Sequence, residues 1–187
     1  LDDLGRAPAE VLAVLPAAAA TAYGADLAWL LGALGRGESI RIHCGGEDCT
    51  DSRGRPWGKD RFFLGGSTAT RDDMLPSEVA GTDDDVLYRT VRYVSFPYRL
   101  EYAVPLPRGA YRVALHLTEM WFVAPGLRRF DVRIEGKEVL RDYEPPISKA
   151  DVREFPAEVE DGVLEIEFTR KQGDPKIAAI EIERLGS

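Results

Sequence analysis

The sequence predicts an all-β protein, an antiparallel β-sandwich of the jelly-roll type, with a short helical extension at its N-terminus. Three observations lead to this fold class. Apolar and polar residues alternate from Ser39 onward, turn-forming glycines and prolines separate the alternating stretches, and the first 38 residues are rich in alanine and leucine. No helical pattern alternates with the strands, which disfavours a βαβ fold. We therefore divide the chain into an extension or linker, residues 1–38, and one domain, residues 39–187.

The alternating stretches have the two-residue period of half-buried strands. Their apolar positions are Ile40, Ile42 and Cys44; Tyr98, Leu100, Tyr102 and Val104; Tyr111, Val113, Leu115 and Leu117; Phe130, Val132 and Ile134; Leu164, Ile166 and Phe168; and Ile177, Ile180 and Ile182. Turn signals separate most of them, at 107–109, 135–137, 160–162 and 173–175. The long segments 45–90 and 141–155 are predicted to be loops at the ends of the sandwich, and loops of that length are more often functional than idle.

The N-terminal extension contains two short segments with helical character. Asp26 is a suitable N-cap for the second segment, and Gly35 and Gly37 are suitable stop residues. The apolar face of that segment is formed by Leu27, Leu30, Leu31 and Leu34. This face must pack on the main domain or on a neighbouring part of a longer protein, and the start at Leu1 favours a mature or excised fragment.

Composition and charge argue against two classes of partner. With 32 acidic and 24 basic residues the net charge is -8, whereas nucleic-acid affinity comes mostly from neutralisation of phosphates by basic residues. No stretch reaches the roughly 20 apolar residues of a transmembrane helix. The run 11–23 is interrupted by Pro16 and follows Asp2 and Asp3 rather than basic residues, so it is not a secretory leader either. We expect neither nucleic-acid binding nor membrane insertion.

The sequence offers little for metal binding. Cys44 and Cys49 could form a disulfide or remain two free thiols, and with two distant histidines they make no convincing zinc site. The acidic clusters 72–73 and 83–85 lack the spacing of a calcium loop and are expected to be solvated loop charge. We therefore expect no metal and no cofactor.

Catalysis is not expected either. His43 and His116 both lie inside strand patterns, where a structural role is the better interpretation, and no nucleophile is paired with a base. A catalytic alternative would rest on a pair of carboxylates taken from Glu47, Glu119 and Asp174. We predict that the chain is not an enzyme.

Aromatic residues beside acids and glycines are the most informative feature of the loops and strand ends. A pyranose has an apolar face that packs on an aromatic ring, and a rim of hydroxyls that hydrogen-bond to carboxylates and amides. Any of these rings could equally belong to the core, so sugar binding is a hypothesis at this point. The residues concerned are Trp57, Phe62, Phe63, Tyr88, Tyr93, Trp121, Phe122 and Asp174.

Five motifs in a fixed order carry a resemblance to a known family. They are His43-Cys44-Gly45-Gly46-Glu47, the segment 87–93 (Leu-Tyr-Arg-Thr-Val-Arg-Tyr), the segment 117–122 (Leu-Thr-Glu-Met-Trp-Phe), the segment 130–136 that opens with Phe-Asp-Val, and Gly173-Asp174-Pro175-Lys176-Ile177. In this order the chain resembles the malectin domain family over about four-fifths of its length.

The resemblance implies a β-sandwich lectin that binds a short oligosaccharide, with α-linked glucose as the family's typical sugar. It also implies a location in the lumen of the endoplasmic reticulum or elsewhere outside the cytoplasm, although the sequence leaves a cytoplasmic location open. Tyr88, Gly45 and Gly46 would support the site from nearby, and Glu47 could reach the ligand or cap its own loop. The ligand-binding residues implied by the motifs are Tyr93, Trp121, Phe122 and Asp174.

Two departures from the family pattern leave the sugar open. Trp121 replaces the usual tyrosine, and the first long loop offers Phe62 and Phe63 in place of a tyrosine, which removes a hydroxyl. The alternative function is a protein-interaction or structural module of a larger protein, joined to its other domains through the N-terminal extension.

Overall fold

The protein is described by a computed structural model over residues 17–71, 78–95 and 98–186. Helix α1 spans Ala17–Gly35 and helix α2 spans Val86–Arg89. The strands are β1 (Ile40–His43), β2 (Cys49–Thr50), β3 (Pro56–Trp57), β4 (Phe63–Leu64), β5 (Ser67–Thr70), β6 (Thr90–Tyr93), β7 (Leu100–Pro105), β8 (Gly109–Leu117), β9 (Arg129–Ile134), β10 (Lys137–Tyr143), β11 (Asp151–Val159), β12 (Val163–Gln172), β13 (Lys176–Ile177) and β14 (Ala179–Arg184).

Two large antiparallel sheets form the sandwich, which confirms the predicted fold class. One sheet has the strand order β1-β14-β8-β11 and the other β10-β9-β12-β7-β4. The larger of two apolar clusters draws on both sheets, for example on Ile42 and Leu115 from the first and on Val104 and Leu164 from the second. A three-stranded sheet, β13-β6-β5, and the β2-β3 pair lie beside the sandwich.

The alternation in the sequence sets which face of each strand is buried. In β8, the side chains of Tyr111, Val113, Leu115 and Leu117 are all 1% exposed or less, while Arg112 on the opposite face is exposed. Successive side chains of a strand point to opposite faces, so a period of two in apolar residues places one face in the core.

The predicted loops at 45–90 and 141–155 contain more structure than expected. The first holds β2 to β5 and α2, while the second is shortened because β10 runs to Tyr143 and β11 begins at Asp151. Strand β11 lies at the edge of its sheet, so it keeps exposed residues such as Val152 and tolerates Pro156. Its apolar alternation is therefore too weak to be recognised in the sequence.

Tyr98 was predicted to open a strand and does not. Strand β7 begins at Leu100; the Tyr98 side chain is 74% exposed, and its backbone amide donates a hydrogen bond to the Ser95 carbonyl.

Helix α1 is one continuous element, so the prediction of Asp26 as an N-cap was wrong. Asp26 lies inside the helix, where its Oδ1 is 3.8 Å from Nη1 of Arg61. The helix ends close to the predicted stop, with Gly37 at a φ of 69°. The part of the extension before Ala17 lies outside the described residues, as do Asp72 and Asp73.

Helix α1 packs on the sandwich through part of its leucine-rich face. Leu30 is 1% exposed and belongs to the apolar core together with Ala33, whereas Leu31 is 42% exposed. Within the described ranges, no helix combines the length and the apolar character needed to cross a membrane.

The remaining sequence predictions concern cysteines and acids. Cys44 and Cys49 are free thiols. Asp84 and Asp85 are not merely solvated, because each accepts a hydrogen bond from a backbone amide, that of Ser52 and that of Val79 respectively. In the described part of the chain, no group of three or more metal-ligating side chains converges.

Replacing Leu30 by alanine should lower the free energy of unfolding by about 2–4 kcal/mol, because the side chain leaves a cavity between α1 and the sandwich. Leu31→Ala is the matched control on the same helix and should change it by less than about 0.5 kcal/mol. Urea denaturation of the two variants checks this. Equal losses would contradict the packing of α1.

Candidate functional site

A cavity of about 270 Å³ lies where the small sheet meets the loops at one end of the sandwich. It brings together Tyr93, Trp121, Phe122 and Asp174, the four residues that the motifs put forward as ligand-binding. The other lining residues are Ala69, Val91, Arg128 and Lys176. A groove of about 360 Å³ beside the end of α1 is larger, but among the described residues its lining contains no aromatic ring.

The wall of the cavity is one face of the three-stranded sheet. In the register of this sheet Tyr93 pairs with Lys176, and Val91 pairs with Ala69. Residues 91 and 93 are two apart in β6, so their side chains share a face, and the paired positions on the flanking strands extend that face. Residues from three distant parts of the sequence therefore line one side of the cavity.

The opposite side is formed by the loop between β8 and β9 and by the turn before β13. The loop supplies Trp121, Phe122 and Arg128, and the turn supplies Asp174. Gly173 allows the two segments to approach, because it has a φ of 63° and a Cβ at this position would lie 2.6 Å from the Leu127 carbonyl oxygen.

A single buried carboxylate, that of Glu119, connects these parts. Its Oε1 accepts hydrogen bonds from the amide of Trp121 at 2.6 Å, from the amide of Phe122 at 3.1 Å and from Lys176 Nζ at 2.9 Å. Its Oε2 accepts a hydrogen bond from Nε of Arg128. Glu119 is 3% exposed and Lys176 is 2% exposed, so these are charge-assisted bonds in a dehydrated setting.

Asp174 is held from two directions. Its backbone oxygen accepts a hydrogen bond from Nη1 of Arg128, and its Oδ2 accepts one from the Ser95 hydroxyl at 2.8 Å. The side chain is half-buried at the cavity. Its Oδ1 accepts no hydrogen bond from the residues that the structure describes, so it is free to accept one from a ligand.

Cations lie against the two aromatic rings of the loop. Lys176 Nζ is 4.2 Å from the ring centroid of Trp121, and the Arg71 guanidinium carbon is 5.7 Å from the same ring. The Arg128 guanidinium carbon is 4.9 Å from the ring of Phe122. These cation–π contacts fix the orientation of both rings.

Burial sets the protonation behaviour of the Lys176–Glu119 pair. Burial lowers the pKa of Lys176 to about 7; Glu119 opposes this shift, while the guanidiniums of Arg128 and Arg71 add to it. Burial alone would raise the pKa of Glu119, but Lys176 and Arg128 outweigh it and hold that pKa below its usual range. Glu119 is therefore an anion at neutral pH.

Four of the residues expected near the ligand lie outside the cavity lining, namely Tyr88, Gly45, Gly46 and Glu47. Gly45 packs behind the wall, since a Cβ there would lie 2.5 Å from the carbonyl oxygen of Val91, and Gly46 packs on the ring of His43. Glu47 is exposed, and its backbone oxygen contacts His43 Nδ1 at 3.1 Å. Gly45 thus supports the cavity from its back, and the structure does not bring Glu47 to the ligand-binding residues.

Tyr88 does not line the cavity but lies in the second, smaller apolar cluster, against which Trp121 packs. It is 2% exposed, and its hydroxyl is 2.9 Å from Nδ1 of His116, which packs edge-on against the buried Trp57. Burial, with a contribution from Arg55, lowers the pKa of His116 to about 4, so this histidine is neutral at pH 7. His43 and His116 are both buried, as expected for structural histidines.

Sequence reasoning did not assign Glu119, Arg128 and Lys176 to the binding site. Two of them stood inside the quoted motifs, and a signal for Lys176 was available: it precedes the apolar run Ile177–Ile180. A lysine in such a setting is expected to be buried and therefore to need a carboxylate partner. Nothing in the sequence around Arg128 indicates its role.

Comparison with known proteins identifies the family of the chain. The family model described as "Malectin domain" matches residues 38–180. The chain belongs to the malectin domain family. Among curated members of this family, human malectin is 32% identical over 129 residues, which cover 65% of this chain and 43% of that protein. Malectin-B of Xenopus laevis is 30% identical over 107 residues, covering 55% of this chain and 37% of its own length. The chain thus spans less than half of the length of these malectins.

Solved structures with the malectin-like fold are also similar. The extracellular domain of ANXUR1 from Arabidopsis thaliana superimposes with a TM-score of 0.70 at 16% identity, covering 79% of this chain and 48% of that one. A β-glucuronidase from Bacteroides uniformis gives a TM-score of 0.69 at 18% identity, covering 81% of this chain and 18% of the enzyme. At these identities the likeness shows the fold alone.

Removing the Glu119 carboxylate should destabilise the protein strongly. Glu119→Ala leaves Lys176 and Arg128 buried without their counter-ion, and we expect a loss of about 3–5 kcal/mol in the free energy of unfolding. Glu160→Ala, at an exposed turn, should change it by less than about 0.5 kcal/mol. Chemical denaturation of both variants measures the free energy of unfolding. If Glu119→Ala loses no more stability than Glu160→Ala, the hydrogen bonds and ion pairs of Glu119 do not stabilise the fold.

Tyr88→Phe tests the assignment of Tyr88 to the core. The variant leaves Nδ1 of His116 without its partner, so we expect a loss of about 1 kcal/mol in the free energy of unfolding. Tyr98→Phe removes an equivalent hydroxyl from an exposed ring and should leave stability unchanged. Thermal melts of both variants give their melting temperatures. If Tyr88→Phe has the melting temperature of the wild type, the hydrogen bond between Tyr88 and His116 does not contribute to stability.

Proposed function

We propose that this chain is a non-catalytic carbohydrate-binding module that holds part of a short oligosaccharide in the cavity around Trp121. The observation that carries the proposal is the meeting of Tyr93, Trp121, Phe122 and Asp174 around one opening. At about 270 Å³ the cavity lies just below the range of about 300–1,000 Å³ usual for drug-sized ligands, which suits one or two sugar rings.

Each part of the cavity matches a part of a sugar. The rings of Trp121 and Tyr93, both half-buried, offer flat apolar surfaces to the C–H face of a pyranose. The Asp174 carboxylate accepts hydrogen bonds from sugar hydroxyls, since one of its oxygens is already oriented by Ser95. Family membership makes α-linked glucose the first sugar to test. Because Trp121 replaces the usual tyrosine, other sugars should be tested beside it.

The arrangement of carboxylates favours binding over hydrolysis. A glycosidase needs two carboxyl groups facing the scissile bond. Glu119 accepts four hydrogen bonds and is buried beneath the cavity wall, so it cannot exchange protons with a ligand without breaking its network. Glu47 does not line the cavity. Asp174 alone remains at the opening among the acids that sequence analysis considered.

We further propose that the module works outside the cytoplasm, in the lumen of the endoplasmic reticulum or at the cell exterior. The supporting likenesses are to malectins and to a plant extracellular domain.

A second candidate function is contact with another domain of a longer protein. The exposed side chain of Leu31 borders the groove of about 360 Å³ at the end of α1, next to Pro107 and Arg184. This surface is separate from the cavity, so the two functions are compatible.

Calorimetric titration with maltose and with nigerose tests the sugar-binding proposal. Trp121→Ala removes a stacking surface and Asp174→Ala removes an acceptor, and each should weaken binding by about 2 kcal/mol, roughly thirtyfold. Asp161→Ala, in the turn at the opposite end of the sandwich, should bind as tightly as the wild type. Denaturation profiles of all variants confirm that they are folded at the temperature of titration.

No saturable binding to any member of a glycan array at millimolar concentration would reject the proposal. Equal weakening in Asp161→Ala would instead place the sugar elsewhere on the molecule.

A further inference from the structure

The cavity is locally cationic on a protein whose net charge is -8. Arg128 and Lys176 line it, and Arg71 lies against the Trp121 ring. The facing carboxylates are those of Glu119 and Asp174. Among the described residues, the two guanidiniums balance the two carboxylates, and Lys176, whose pKa is about 7, adds a fraction of a positive charge at neutral pH.

The two carboxylates have limited capacity to neutralise that excess. Glu119 is shared between two cations and two backbone amides. Asp174 binds Arg128 through its backbone oxygen, while its carboxylate is turned to the Ser95 hydroxyl. The guanidiniums of Arg128 and Arg71 are thus not matched one to one by carboxylates of the described residues.

Two guanidiniums retain free donors. Arg128 uses Nε and Nη1 for protein contacts, and within the described ranges its Nη2 has no protein acceptor. The half-buried side chain of Arg71 contacts the Trp121 ring and makes no ion pair with any carboxylate that the structure describes. An arginine donor that is partly dehydrated and lacks an acceptor favours an anionic group from a ligand.

We propose that the sugar unit bound in this cavity carries a carboxylate, so that the ligand is an oligosaccharide containing a uronic acid. This inference rests on the proposed function and specifies its ligand class. The uronic acid keeps the pyranose face that packs on Trp121, and its carboxylate replaces the neutral hydroxymethyl group next to the ring. That carboxylate is bound by Nη2 of Arg128 and by Arg71.

Two further considerations support a carboxylate. The pKa of Lys176 is lowered by burial and by Arg128 and Arg71, so the cations repel one another, and a bound anion relieves that repulsion. A carboxylate is also compact, which fits a cavity of about 270 Å³ better than a sulfate ester does.

The test compares maltose with its counterpart in which C6 of the non-reducing ring is oxidised to a carboxylate. The two ligands differ only in the group that the inference concerns. In calorimetric titrations at low salt, the acid should bind about tenfold more tightly than maltose, as expected for a charge-assisted hydrogen bond in place of a neutral one. The preference should shrink as salt is added, because Arg71 is partly exposed.

Two variants test whether Arg71 causes the preference for the acid over maltose. Arg71→Gln should reduce the ratio of the two affinities to about threefold or less, as one charged partner is lost. Arg108→Gln lies at the exposed turn before β8, whereas the cavity loop follows the other end of that nine-residue strand, so it should leave the ratio unchanged. Denaturation of Arg71→Gln shows that a change in the ratio does not come from unfolding.

The outcomes separate the two proposals. Maltose binding as tightly as, or more tightly than, the acid overturns the uronic-acid inference and leaves carbohydrate binding intact. Tighter binding of maltose sulfated at the same C6 than of the acid also overturns it, in favour of a sulfated sugar. Saturable binding of no ligand at millimolar concentration rejects both proposals together.

Discussion

The candidate site depends on the hydrogen bonds and ion pairs of one buried carboxylate. Glu119 joins the loop after β8, the strand β13 and the residue before β9, segments that are separated by up to 57 positions in the sequence. A buried anion is tolerated only when its partners satisfy it, and here the partners are residues that shape the cavity. The positions of the Trp121 and Phe122 rings therefore depend on the hydrogen bonds and ion pairs of Glu119.

The small sheet gives this anchor its setting. Strand β6 contributes Tyr93 and β13 contributes Lys176 to the same face, while Gly45 lies against the back of β6. Asp60 adds a second fixed point, because its carboxylate accepts hydrogen bonds from the Gly45 amide and from the Tyr102 hydroxyl. The sandwich thus holds the wall of the cavity from behind, and the loops complete it in front.

The fold was predictable because apolar residues at every second position indicate a strand with one face buried in the core, as in Tyr111–Leu117. Strand β11 escaped prediction because an edge strand keeps polar residues on its exposed face. In the candidate site, the order of the motifs pointed to the four residues that meet at the cavity. The spacing of aromatic residues in the sequence does not show, however, how deeply each ring is buried. Tyr88 and Trp57 carry the same kinds of ring as the cavity residues and are buried instead. The partners of Lys176 became apparent only once the chain was folded.

The way in which Glu119 holds its loop has a consequence for the divergence of related chains. The carboxylate binds the backbone amides of residues 121 and 122 and leaves their side chains unconstrained by those bonds. Any residue other than proline at these two positions supplies the same amides. The side chains at these two positions, which line the cavity, can therefore be exchanged in evolution without altering the scaffold beneath them.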